Sequence, residues 1–516
     1  MARYGLLLAT LVLIAIVSLP HANGLPVAGQ NMLGILAFSV IIWMTEAVSY
    51  PVSAFIITVL MTLLLGFAPG VADPSKLLGT SRALSMALAG FSNTAWALVG
   101  AALFLSAAMT KTGLDKRIAL VVMSKVGARS NRILMGVIFL GFLLSFFIPS
   151  TTARVACMVP IVMGVIIALK VPLKSRFAGA LMIAVAQADS LWNVGVKTAA
   201  AQNMVAIGFI EKQLGVTISW LEWFIAAAPF AAVMSVILYY VLTRMMPAEQ
   251  VEFSGGQDTI VKELAALGPM RPEEKKLMLI SVALLFFWAT EKIVHNLDTS
   301  TTTIVAIMLM FLPGIGIMNW EDCEKRIPWG TLLLFGIGIS LGSAILSTKA
   351  GAWLANYIVA IFGLETASAI GVLAILAAFL IIIHLGFASA TGLAAAMIPI
   401  VIAVLQNIKT PGINVVGMTM ILQYVVSFGM ILPVNAPQNM VAYGTDTFEV
   451  RDFVRTGIPL TIIAYLLILF QIVADLFRDP DLGGGSKALW LIGLIFVPMF
   501  TALVYVVAAD NKAGTR

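Results

Sequence analysis

Charge is scarce in this sequence: Asp, Glu, Lys and Arg together make up 11% of 516 residues, against 60% apolar ones. A chain of that composition folded in water would expose large apolar surfaces, which excludes a soluble globular class. Cysteine is nearly absent, and Cys157 and Cys323 lack any CxxC spacing, so neither a disulfide framework nor a metal knuckle is supported. There is no HExxH, no Gly-x-Ser-x-Gly elbow, no P-loop and no pair of intramembrane aspartates, so no enzyme class is indicated and no organic cofactor is expected. The formal charge of +6 would suggest nucleic acid only if the basic residues shared a soluble face. Instead Lys111, Lys116, Arg117, Lys125, Arg129 and Arg132 occupy one loop and Lys170, Lys174 and Arg176 another, the pattern of cytoplasmic loops beside membrane helices.

Apolar runs extend almost from end to end. A bilayer core of roughly 30 Å needs about 20 apolar residues per spanning helix, so the chain reads as a multi-pass protein of the inner (plasma) membrane. At the N-terminus Arg3 precedes an apolar run, but no A-x-A cleavage site follows, and residues 1–26 are expected to form a spanning helix rather than a removed signal.

The pentapeptide Gln-Asn-Met-Val-Ala starts at residue 202 and again at 438, an offset of 236 (438 − 202). Other pairs occur in the same order. STTARVACMVPIV (150–162) aligns with SATGLAAAMIPIV (389–401) at 239, WMTE (43–46) with WATE (288–291) at 245, and TKTG (110–113) with TKAG (348–351) at 238. The chain therefore divides into homologous halves, 27–245 and 277–477, joined by a polar cytoplasmic linker at 246–276. Residues 478–516 read as an extra C-terminal spanning helix and tail. Counting spans from a cytoplasmic Arg3 puts the basic loop and the linker inside, and Glu46 and Glu291 on opposite sides, so the halves are inverted. Inverted repeats with substrate held near the midplane by broken helices are an architecture of secondary transporters.

Two kinds of interruption recur. Pro149 argues against a continuous helix across 148–152, and the apolar arms around it fit a re-entrant hairpin with its tip at 150–152. Ser150 and Thr151 can cap the second arm, leaving a helix N-terminus that attracts anions. Ser389 and Thr391 offer the same at a second tip, 389–391. The second interruption is an unwound segment in each half, 195–203 and 433–439, where Gly195, Val434, Pro437 and the amides of Asn203 and Asn439 sit inside apolar runs. Unwound carbonyls there can bind cations, and each segment is expected to face the hairpin tip of its own half.

At TEAVSYPVSA (45–54), at the Ser-x-Thr tips followed by Pro-Ile, and at the Asn-bearing unwound segments, the sequence resembles the divalent-anion:sodium symporter family of di- and tricarboxylate and sulfate transporters. The resemblance spans nearly the whole chain. It implies an all-α polytopic membrane protein of about 11–12 transmembrane helices in two inverted repeats, forming a homodimer with an elevator-type movement. It further implies a substrate such as succinate, malate or citrate bound by Ser150, Thr151, Thr152, Ser389, Ala390, Thr391, Asn203, Asn439 and Pro437. Sodium would lie near Ser150, Thr151, Gly195, Ala390 and Val434. The family's tips usually read Ser-Asn-Thr; here both asparagines are missing, which puts sodium coupling in question. A literal Ser92-Asn93-Thr94 has no counterpart in the other half and reads as a helix N-cap.

STTAR at 150–154 resembles the branch that exchanges dicarboxylates without sodium. Arg154 either forks onto a carboxylate or stands in for a cation, or it anchors the hairpin at the cytoplasmic surface. Lys197 carries the same two readings, Asp189 is a buried polar residue or part of a substrate path, and His384 reads as a core histidine. The alternatives to sodium symport are dicarboxylate exchange and carriage of sulfate or sulfonates.

Overall fold

The computed structural model describes residues 2–251, 256–410 and 413–476. Among these the fold is all-α, with 22 α-helices and short 3-10 or π segments. Eight helices have at least 18 residues and are apolar enough to cross a membrane, and seven shorter apolar helices accompany them. Phe55, Ile225, Leu279 and Ile382 lie exposed on helix flanks, where hydrocarbon rather than water suits them. The expected C-terminal helix in 478–516 lies outside the described residues.

The repeat is visible in backbone geometry. Helices Val27–Thr45 and Pro272–Thr290 are both 19 residues long, and each buries a tryptophan whose indole N–H donates to a hydroxyl: Trp43 to Ser53 and Trp288 to Thr303, both at 3.1 Å. One pairing of the sequence is corrected. TKTG and TKAG match at 238, but the structure aligns Thr112 with Thr348, an offset of 236. Both threonines donate to a carbonyl one turn back, at 2.9 Å and 2.7 Å. Each is followed by a left-handed residue, Gly113 or Lys349, that opens the next helix. The four-letter match was a register slip of two.

The predicted hairpins are present as Ser130–Ser145 with Thr151–Ala168, and Ala369–His384 with Ala390–Asn407. The fold is thus a polytopic membrane protein of two inverted repeats, each with a re-entrant hairpin and a broken helix. The polar linker contains the helix Gly256–Ala266, and Arg117 donates to the carbonyl of Gly268 at 2.9 Å and pairs with Glu274.

By contact density the chain forms two compact units that cut across the halves. One comprises Met1–Gly100, Ala201–Ile218 and Pro328–Val426; the other comprises Ala101–Ala200, Ser219–Ile327 and Ser427–Arg516. The hairpin of the first half belongs to the second unit, and the hairpin of the second half to the first. Within the second unit Pro437–Tyr443 packs on Thr151–Ala168, and within the first unit Ala201–Phe209 packs on Ala390–Asn407. Each unwound segment was expected to face its own half's hairpin; in the first half Arg154 of the hairpin does reach the Ala199 carbonyl of the break, but the short helix after each break packs on the hairpin of the other half.

Candidate functional site

In the second unit, Pro149 closes the turn after Ser130–Ser145, and Ser150 takes up extended backbone (φ −134°, ψ 112°). Its hydroxyl accepts from the Ala153 amide at 3.4 Å and caps Thr151–Ala168. Thr151 donates to Asn193 Oδ1 at 3.1 Å, while Thr152 lies exposed on the first turn. In the first unit Ser389 repeats the conformation (φ −140°, ψ 115°) and accepts from the Gly392 amide at 3.2 Å. Its hydroxyl is also bonded to the Tyr50 side chain. Ala390 opens the helix and Thr391 is buried beside it. A Ser cap contributes about 1 kcal/mol. Ser150→Ala and Ser389→Ala are each expected to lower thermal stability by that amount, measurable as a small drop in melting temperature of the detergent-purified protein.

The breaks repeat as well. Val196 and Ala200 are extended around a 3-10 turn at Lys197–Ala199, and Leu432 and Ala436 are extended around Pro433–Asn435. In each the last residue of the turn donates to the carbonyl before it at 3.1 Å, Ala199 to Val196 and Asn435 to Leu432. Breaking a helix frees carbonyls that lipid cannot satisfy. Side chains take them: Trp223 donates to Val194 at 3.0 Å, Arg154 to Ala199 at 2.8 Å, and Asn439 to Gly429 at 2.7 Å.

Arg154 is fully buried, which overturns the reading of it as a surface anchor. Its guanidinium donates to the Ile148 carbonyl at 2.6 Å and to Ala199, and it pairs with Asp189 and Asn193 of the buried helix Arg176–Gly195. One cation thereby joins the hairpin turn, the break and the central helix of this unit. The second half has no counterpart: Leu393 stands where the repeat would place an arginine, and Val425 where it would place the aspartate. Lys197 is buried too, donating to the Thr299 hydroxyl at 3.3 Å, which in turn donates to Glu291 at 2.6 Å.

The candidate residues thus fall into two sets. Ser150, Thr151, Thr152, Arg154, Gly195, Val434, Pro437 and Asn439 belong to the second unit, and Ser389, Ala390, Thr391 and Asn203 to the first. Gly195 is buried, a Cβ there meeting the Trp192 ring at 2.7 Å, while Val434 and Pro437 are exposed. His384 is buried at the end of its helix, and Asn93 accepts from the Ala95 amide at 2.7 Å, as an N-cap does. Among the described residues no cluster of His, Cys, Asp and Glu could hold a metal ion.

At the first tip the carbonyls of Ile148 and Ala199, Asp189 Oδ1 and Asn193 Oδ1 all accept from the guanidinium, while Asp189 Oδ2 is buried without a hydrogen-bond partner, so a fixed cation already occupies most of the oxygens there. At the second break Asn439 Oδ1 is buried without a partner, an amide oxygen suited to a hard cation. Sequence reasoning missed Gln187 and Gln423, both fully buried; applying the offset of 236 to the residues before each break would have paired them.

Repeated hairpins and broken helices are the architecture of a secondary transporter. The chain belongs to the sodium:sulfate symporter transmembrane region family, whose model matches residues 2–476. It is similar to a Cupriavidus necator protein described as a membrane protein (56% identical over 468 residues, 90% of this chain and 91% of that one). It is also similar to the inner membrane protein YbhI of Escherichia coli (32% identical, 74% and 79%). The sodium-dependent dicarboxylate transporter SdcS of Staphylococcus saprophyticus is 26% identical, covering 93% and 92%. Among solved structures, the Alcanivorax borkumensis YdaH transporter has a TM-score of 0.55 at 14% identity, covering 84% of this chain and 97% of that one, a likeness of fold alone. The protein is therefore a multi-pass inner-membrane carrier of divalent anions and not an enzyme.

Proposed function

We propose that this carrier moves small di- and tricarboxylates such as succinate, malate or citrate, as a homodimer and by an elevator-type movement. The observation that carries the substrate class is the twofold occurrence of one device: a serine-capped helix start with the same backbone geometry at Ser150 and Ser389. A helix start attracts a negative group such as a carboxylate. Burying a dianion calls for compensating positive charge. The Arg154 charge is already matched by Asp189, so sodium coupling, which the SdcS relatives carry in their names, is assigned to the second break beside Asn439.

The test is uptake into proteoliposomes with a competition panel. Succinate, malate or citrate are expected to compete with one another, and sulfate only weakly. A sulfate preference would contradict the reading. The second reading, obligatory exchange, is favoured by the same Arg154, because a tethered cation cannot be released to drive net uptake. It would show as uptake that requires internal dicarboxylate and ignores sodium.

A further inference from the structure

A groove of about 840 Å³ opens on one flank of the second unit, lined by none of the residues of the helix starts or breaks. One wall is Ser130–Ser145, where Arg132, Met135, Phe139 and Phe142 recur at spacings of three and four and share a face. The other wall is Trp220–Met245, which presents Ala232, Val236 and Tyr240 four residues apart. Trp192 closes the deep end, its ring centroid 4.3 Å from that of Phe142. Met135, Phe139, Val236 and Tyr240 are each about half exposed, so the groove opens outward from the protein.

In a bilayer such a groove fills with hydrocarbon, and what distinguishes this one is its mouth. Lys125, in the last turn of Leu114–Val126, and Arg132, in the first turn of the next helix, both line it, and no lining residue is acidic. Among the described residues neither cation takes part in a salt bridge, whereas Arg117 pairs with Glu274 and Lys174 with Asp446. From Arg132 to Phe142 the helix rises about 15 Å, half of a hydrocarbon core of roughly 30 Å. The groove thus has apolar walls one leaflet deep and a positive rim at headgroup level, the complement of an anionic lipid. A second copy meeting it with the same patch would bring no acidic group to that rim.

We propose that the groove is a binding site for one anionic phospholipid, its acyl chains between the two helices and its phosphate on Lys125 and Arg132. The occupant lies against the hairpin arm that leads to Ser150, and the inference is independent of which substrate is carried. The experiment places the detergent-purified protein in mixed micelles with equal amounts of phosphatidylglycerol and phosphatidylethanolamine of the same chains, and counts bound lipid by native mass spectrometry. Two cations at the rim favour the anionic headgroup by about thirtyfold, so wild type is expected to retain one phosphatidylglycerol in that excess. Lys125→Gln with Arg132→Gln should bring the preference below about threefold. Ala232→Phe, an exposed site whose new ring fills the groove without touching charge, should lose both lipids. Arg244→Gln with Arg455→Gln, two exposed cations of the same unit outside the groove, should change neither. Equal loss in that control would mean general surface charge, and no phosphatidylglycerol excess in wild type would mean annular lipid only; either overturns the proposal. So would groove variants that turn a dimer into a monomer while the lipid stays, because a second copy would then cover the face.

Discussion

Arg154→Met abolishes dicarboxylate uptake and destabilises the protein by about 3–5 kcal/mol, the cost of leaving a buried carboxylate without its partner. The expectation follows from what the guanidinium holds. It is the shared donor for the Ile148 carbonyl in the hairpin turn, the Ala199 carbonyl in the break, and the side chains of Asp189 and Asn193. Removing it unpairs Asp189 and two main-chain carbonyls together. The double variant Arg154→Met with Asp189→Leu removes the lone charge as well, and is expected to recover part of the melting temperature without recovering uptake. Stability and transport are thereby separated: uptake by the refolded double variant would show that Arg154 is only a strut.

Thr152→Ala combined with Thr391→Ala lowers succinate uptake by at least about a hundredfold, while the protein elutes from a sizing column as wild type does. Both threonines sit on the second residue of a serine-capped helix, at positions related by the offset of 239. Thr152 is exposed and has no hydrogen bond within the protein other than those of its helix, so its hydroxyl is available to a ligand. A hydrogen bond to a charged group contributes about 1.5–3 kcal/mol, or roughly tenfold to a hundredfold in affinity for each threonine. Uptake within threefold of wild type would remove the helix starts from the binding site.

The repeat made the hairpins and breaks legible, because Pro149, Ser389 and the duplicated QNMVA report local backbone chemistry. Ser150 and Ser389 could be expected to cap their helices for the same reason. What the sequence withheld was pairing at a distance. Nothing in the spacing of Arg154 and Asp189 announces an ion pair, since they lie on different helices 35 residues apart. The crossing of each broken helix onto the other half's hairpin was equally hidden: local propensity cannot say which of two homologous partners a segment meets. Short matches were the least reliable signal. TKTG and TKAG agree in three letters yet are out of register by two, whereas the hydroxyl-to-carbonyl bonds of Thr112 and Thr348 align correctly.

In the proposed function a fixed guanidinium replaces one mobile cation in the first half and not in the second. The sodium activation curve of succinate uptake in proteoliposomes tests this directly. One remaining sodium site gives a hyperbolic curve with a Hill coefficient of about 1, and the activation is expected to be lost in Asn439→Leu. A sigmoidal curve with a coefficient of about 2 or more would mean that sodium still binds in both halves, and that Arg154 does not stand in for it.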